Sequence, residues 1–187
     1  MTLPNVLTFA RVLATPGIVL LAALGGPAGS AWAALLFALI ALTDWLDGYL
    51  ARRLKQTSAL GAMFDPIADK LQVGLTLGVV IWLGATPGWH LAPALAILGR
   101  EVLVSGLREA MASMSAPRIP SSFAAKVKTT AQMSALALLL YGGAVGPDWA
   151  RLGGLALLWA AAALSLWTGW AYLKTGVSAA RAADGAS

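Results

Sequence analysis

The chain has 187 residues, 59% of them hydrophobic and 11% charged, with a net charge of +5 and a mean hydropathy of +0.76. Soluble domains carry about 25% charged residues, so there is too little polar side chain here to cover a water-soluble globule. A soluble enzyme, a disordered chain and a secreted scaffold are excluded, which leaves an integral membrane protein.

One span needs about 20 residues and a short turn, so this length holds roughly six or seven spans and no separate soluble domain. Long runs rich in Ala and Leu read as helices, not as the ~10-residue alternating segments of a β-barrel. The expected fold is all-α, with six transmembrane helices in a single domain over residues 1–187. The first apolar stretch lies near 6–24; it lacks a short apolar region and cleavage site of the secretory kind and is kept as structure. Gly25-Gly26-Pro27 and Gly29-Ser30 separate it from the second, near 31–52. The third, near 63–83, stops before Thr86-Pro87-Gly88, and the fourth, near 91–113, before a segment from Ser115 to Ser122 with two prolines. The fifth lies near 124–143, and the turn from Gly142-Gly143 to Pro147 leads to the sixth, near 152–173.

With the N-terminus inside, the inner loops hold Arg52, Arg53, Lys55, Arg118, Lys126 and Lys128, and the C-terminal tail holds Lys174 and Arg181. The outer loops hold only Arg151. This asymmetry puts both termini in the cytoplasm. The positive charge reads as contact with an anionic inner leaflet or a phosphate substrate, and not with nucleic acid. Trp32, Trp89, Trp149, Trp170 and Tyr172 suit the interfacial belt, as does His90 beside Trp89. Asp148 and Arg151 read as a surface pair. The absence of Cys and the single His exclude disulfides, thiolate chemistry and multi-His metal sites.

Four of the eight acids, Asp44, Asp47, Asp65 and Asp69, fall within 26 residues. A carboxylate inside a span costs about 2.5 kcal/mol or more, so four are not expected for stability alone. Asp44 and Asp47 are spaced i,i+3 and Asp65 and Asp69 i,i+4, so each pair shares a helix face. Antiparallel packing of the second and third helices would bring all four to one cytoplasmic-side pocket. Such a set repels itself unless cations sit within it, and oxygen ligands without His or Cys select Mg²⁺ or Mn²⁺. Two ions about 4 Å apart can clamp a pyrophosphate. The other reading is helix-end acids paired with Arg52, Arg53, Lys55 and Lys70. Gly48, Ala51 and Gly61, each one turn from an acid, leave room for a nucleobase or ribose against backbone, or serve close helix packing.

Residues 44–69 spell D-x2-D-G-x2-A-R-x8-G-x3-D-x3-D in full, and this resembles the signature of the CDP-alcohol phosphatidyltransferases. The opening Leu3-Pro4-Asn5-Val6-Leu7-Thr8 with Arg11 resembles the phosphatidylglycerophosphate synthase branch, as do Arg100-Glu101 through Glu109 and Lys126 through Met133. The segment from Ala112 to Ala125 is the least family-like. The resemblance implies a dimeric six-helix fold in the bacterial cytoplasmic membrane, with a cytoplasm-facing site. It implies transfer of a phosphatidyl group from CDP-diacylglycerol to sn-glycerol 3-phosphate, with release of CMP. Asp44, Asp47, Asp65 and Asp69 would hold two Mg²⁺ or Mn²⁺ ions, and Asp69 would take the proton of the acceptor hydroxyl. Asn5, Thr8, Gly48, Ala51, Arg52 and Gly61 would contact the CDP-lipid.

The acceptor phosphate needs a second cationic pocket, for which Arg108, Arg118, Lys126 and Lys128 are the candidates, each alternatively a snorkelling interfacial cation. Lys126 and Lys128 point roughly 200° apart on a helix, so one of them faces such a pocket, with Lys126 preferred. Arg100 and Glu101 read as an orienting pair or a helix-end ion pair. Other acceptors (serine, inositol phosphate, phosphatidylglycerol), a divalent-cation transporter and a non-catalytic scaffold are the rival readings.

Overall fold

The computed structural model describes residues 3–25, 28–54, 59–114, 123–143 and 146–184. In chain order these form α1 (Leu3–Leu24), α2 (Gly29–Leu54), α3 (Ala59–Trp82), a 3₁₀ turn (Gly88–His90), α4 (Leu91–Ser113), α5 (Phe123–Gly142) and α6 (Asp148–Asp184). No strand occurs among the described residues. Four helices, α1, α2, α3 and α6, outrun the apolar stretches that announced them, most of all α3, which begins at residue 59 and not 63, and α6, which runs over 148–184 and not 152–173. Apolarity marks what lipid can cover, whereas a helix continues until something stops it, and residues 174–184 contain no Pro. Pro16 and Pro66 lie inside α1 and α3, each removing one backbone hydrogen bond, a loss that membrane helices tolerate.

The helices fall into two compact units, one of Met1–Pro87 with Met133–Leu155, the other of Gly88–Gln132 with Ala156–Ser187. In the first, α1 packs against both α2 and α3. Gly17 of α1 abuts Leu36 of α2, and Arg11 reaches Asp44, so these two helices run antiparallel. Thr8 meets Asp65 and Arg11 meets Asp69, so α1 and α3 run parallel. Ile18, Phe37, Leu77, Val80, Leu136, Leu139 and Leu140 are fully buried. α3 closes with Gly84 at φ 67°, the amides of Gly84 and Ala85 reaching back to the carbonyls of Ile81 and Val80. Only a residue without Cβ takes that left-handed cap at no cost. Gly154 of α6 lies so close to Leu139 of α5 that a Cβ would sit 2.7 Å from its side chain.

In the second unit α4 and the later part of α6 run parallel, with His90 facing Trp159, Arg100 facing Thr168, and Arg108 facing Tyr172. Ala94, Ile97, Val104 and Met111 form the buried stripe of α4, and Leu158, Ala161 and Ala162 that of α6. The indole N–H of Trp159 donates to His90 Nδ1 at 3.1 Å, with the Trp89 ring 5.3 Å from that of Trp159. The expected surface pair is present, Arg151 donating to Asp148 at 3.1 Å.

Large apolar side chains point outward on every helix, among them Leu13, Leu39, Ile67, Val102, Val127 and Trp167. Water does not tolerate so continuous an apolar exterior, and lipid does. Residues 88–113 and 148–181 are long and apolar enough to cross a bilayer, while α1 and α2 are apolar over 8–24 and 29–44. Asp65, Asp69 and Lys70 on α3, and Lys126 and Lys128 on α5, interrupt the apolar runs there.

Candidate active site

The sequence predicts acids clustered where α2 ends and α3 begins, and α1 adds partners for them. Phe9 stacks on Phe64 with ring centroids 4.7 Å apart, fixing the level at which α1 meets α3. One turn of α1 then offers Thr8 and Arg11 to the α3 face that carries Asp65 and Asp69. Thr8 Oγ1 donates to Asp65 Oδ1 at 2.9 Å, and Arg11 Nη1 donates to Asp69 Oδ1 at 3.0 Å. The same Arg11 nitrogen forms an ion pair with Asp44 Oδ1 of α2. Oxygens from two helices therefore converge on a single cationic atom.

The layering is asymmetric. The Arg11 side chain is 2% exposed, whereas those of Asp44 and Asp69 are 43% and 56% exposed. A buried guanidinium is costly unless its charge is matched, and here two carboxylates match it. The acids in turn keep a solvent side. Their chemistry, hard oxygen with no nitrogen or sulfur donor, fits Mg²⁺ or Mn²⁺. Among the described residues no three acids stand close enough to hold an ion, and the cation shared by Asp44 and Asp69 is Arg11.

The other expected lipid-nucleotide contacts are placed by backbone. Asn5 lies in the first turns of α1, Asp47, Gly48, Ala51 and Arg52 continue α2 beyond Asp44, and Gly61 lies one turn before Asp65 on α3. The side chains of Asn5, Asp47, Ala51 and Arg52 lie outside the described residues, as does the whole of Arg118. Thr8, expected against the CDP-lipid, is buried and bonded to Asp65.

The remaining acceptor-pocket candidates belong to the second unit. Arg108 donates to the Tyr172 hydroxyl at 2.7 Å, its guanidinium 4.9 Å from the ring centroid. Lys126 is exposed and Lys128 buried, as their angular separation on α5 requires. Lys128 Nζ donates to Glu101 Oε1 at 2.8 Å, and Arg100 Nη1 donates to the same oxygen at 3.0 Å. Arg100 further donates through Nε to the Ser165 carbonyl at 3.2 Å. Glu101 is thus the shared counter-charge of two buried cations, and the Arg100–Glu101 pair expected from sequence is half of a larger network.

Sequence reasoning did not assign the partner of Arg11 or that of Lys128. For Arg11 a signal existed: it is the one charged residue in the run 6–24, and an intramembrane cation implies a carboxylate partner. For Lys128, 27 residues from Glu101, no local pattern announces the pair.

The sequence matches the CDP-alcohol phosphatidyltransferase family over residues 1–167. It is 43% identical over 173 residues to the CDP-diacylglycerol–glycerol-3-phosphate 3-phosphatidyltransferase of Rickettsia typhi, covering 92% of this chain and 95% of that one. It is 41% identical over 181 residues to the protein of the same name from Escherichia coli strain K12, covering 96% and 95%. With the Cereibacter sphaeroides protein of that name, identity is 38%, covering 92% and 94%. The acidic signature on α2 and α3 and a match running through both units make this chain a member of the CDP-alcohol phosphatidyltransferase family.

Proposed function

We propose that this protein transfers the phosphatidyl group of CDP-diacylglycerol to sn-glycerol 3-phosphate, giving phosphatidylglycerol phosphate and CMP. The observation that carries the reading is the convergence of Asp44 and Asp69, 25 positions apart (69 − 44), on one nitrogen. That convergence joins the two halves of an eight-position signature into one acidic centre. The relatives named above, similar along nearly their whole length, support the choice of acceptor.

Asp44, Asp47, Asp65 and Asp69 would hold two Mg²⁺ or Mn²⁺ ions, which would supply positive charge to neutralise the pyrophosphate and the departing CMP. Asp69 accepts the proton of the acceptor hydroxyl, whose oxygen bonds to the phosphatidyl phosphorus as the bond to the CMP oxygen breaks. Asn5, Thr8, Gly48, Ala51, Arg52 and Gly61 line the CDP-lipid, Arg52 offering a planar fork to phosphate or nucleotide oxygens. Arg108, Arg118 and Lys126 supply the charge for the acceptor phosphate, whereas Lys128, the other candidate, is buried against Glu101.

In this reading residues 1–187 act as one catalytic domain, a homodimer crossing the bacterial cytoplasmic membrane six times with both termini inside. The antiparallel α1 and α2, the parallel α1 and α3, the parallel α4 and α6, and the cation distribution support the topology. Carboxylates beside cations at helix ends suit a phosphate substrate better than an ion pathway through the membrane.

Detergent-solubilised protein is expected to release CMP from CDP-diacylglycerol only with Mg²⁺ or Mn²⁺ and glycerol 3-phosphate. Equal or faster release with serine, inositol phosphate or phosphatidylglycerol would reassign the acceptor. Metal binding without CMP release from any of them would point to the transporter.

A further inference from the structure

Each acid of the cluster has a role in the proposed chemistry, and the cation beneath them has none. Arg11 lies outside the eight-position signature, yet it is the most deeply buried charged side chain described here, and it engages both α2 and α3. Its own backbone carbonyl is braced by Thr15 Oγ1 at 2.8 Å, and one turn earlier Thr8 restrains Asp65. From its buried side, α1 therefore touches Asp44, Asp65 and Asp69. Carboxylates drawn together on neighbouring helices repel, and without a counter-charge they separate or take up protons. A guanidinium supplies that charge permanently, since it stays protonated in proteins.

We propose that Arg11 is a positioning residue, the resident counter-ion of the acidic centre. It holds Asp44 and Asp69 together before a divalent ion arrives, and its retained positive charge then lowers the affinity for that ion. The inference rests on the reading in which these aspartates hold Mg²⁺ or Mn²⁺. A neutral side chain at position 11 removes both effects, which act in opposite directions. Repulsion between a buried unit charge and a dication a few ångströms away is the larger, so neutral variants bind metal more tightly although their metal-free fold is weaker. A purely structural arginine would produce the second change without the first.

The test uses the full chain in detergent, without lipid substrate, titrated with Mn²⁺ while the free ion is followed by electron paramagnetic resonance. Arg11→Met and Arg11→Gln are expected to bind Mn²⁺ about tenfold or more tightly than wild type. Both should melt at lower temperature when metal-free and recover at saturating Mn²⁺. Arg11→Lys, which keeps the charge, is expected to stay within about threefold of wild type. Unchanged or weaker binding in the neutral variants overturns the proposal, as does an Arg11→Lys that tightens as they do. Neutral variants that fold only with Mn²⁺ support it; ones that fold under neither condition overturn it. Wild-type protein that leaves Mn²⁺ free overturns the metal reading as well, whereas failure among the variants alone leaves that reading standing.

Discussion

In the unit containing α1 to α3, Arg11 is 2% exposed and answers to two acids that are 43% and 56% exposed. In the other, Arg100 and Lys128 are each 8% exposed and share a single acid, Glu101, at 23%. Both arrangements match a charge that the surrounding apolar bundle cannot solvate, but their surpluses have opposite sign. Among the described ion pairs the first sets two acids against one cation and turns the acids toward water. The second has more cation than acid and covers all three groups, with the Ser165 carbonyl and the Thr168 hydroxyl taking further donors of Arg100. Accessible surplus suits chemistry, whereas a closed network suits the joining of helices, here α4, α5 and α6.

The contrast can be broken most forcefully at Asp69. Asp69→Asn is expected to lower turnover by about 10²–10⁴-fold, as loss of a general base does, while CDP-diacylglycerol still binds. A variant with wild-type turnover would remove Asp69 from that role. In the closed network the large effect should fall on folding. Glu101→Leu strands two buried cations and is expected to cost about 3 kcal/mol or more in detergent unfolding. Adding Lys128→Met should recover at least about 1 kcal/mol, because the double variant leaves one fewer unmatched charge. A Glu101→Leu protein as stable as wild type would mean that the network is not what joins these helices.

Two of the candidates for the acceptor phosphate sharpen the distinction. Arg108→Met and Arg118→Ala are each expected to raise the half-maximal concentration of glycerol 3-phosphate about tenfold, the worth of one hydrogen bond to a charged group. The requirement for CDP-diacylglycerol should hardly change, and equal effects on both substrates would contradict the assignment. The smallest effect is expected at Asp148, whose pair with Arg151 is open to solvent. Asp148→Asn should alter stability by no more than about 0.5 kcal/mol.

The six helices were legible because long runs rich in Ala and Leu are a strong compositional signal, and the acids because they break those runs at regular spacing. Charge partners were legible only at short range. Asp148 and Arg151, three residues apart, read correctly as a pair, and Arg100 with Glu101 read as half of one. Arg11 lies 33 and 58 residues from its two acids (44 − 11 and 69 − 11), and helix packing, not local periodicity, sets that meeting. The same limit applies to Thr8. The family resemblance implied a ligand contact for it, and only the parallel run of α1 and α3 brings its hydroxyl to Asp65. The far end of α6 was missed for a different reason. Residues 174–184 are too polar for lipid but contain no proline to end the helix.

That overrun gives α6 a built-in ruler. Trp149 and Trp170, both exposed, are 21 residues apart (170 − 149), a rise of about 32 Å against a hydrocarbon thickness of about 30 Å. In the proposed topology Lys174, its ammonium 5.5 Å from the Trp170 ring centre, falls at headgroup level, and Arg181 stands on a stiff mast beyond it. A thicker bilayer would swallow part of that mast, and a thinner one would tilt the rod or bare a further turn of it.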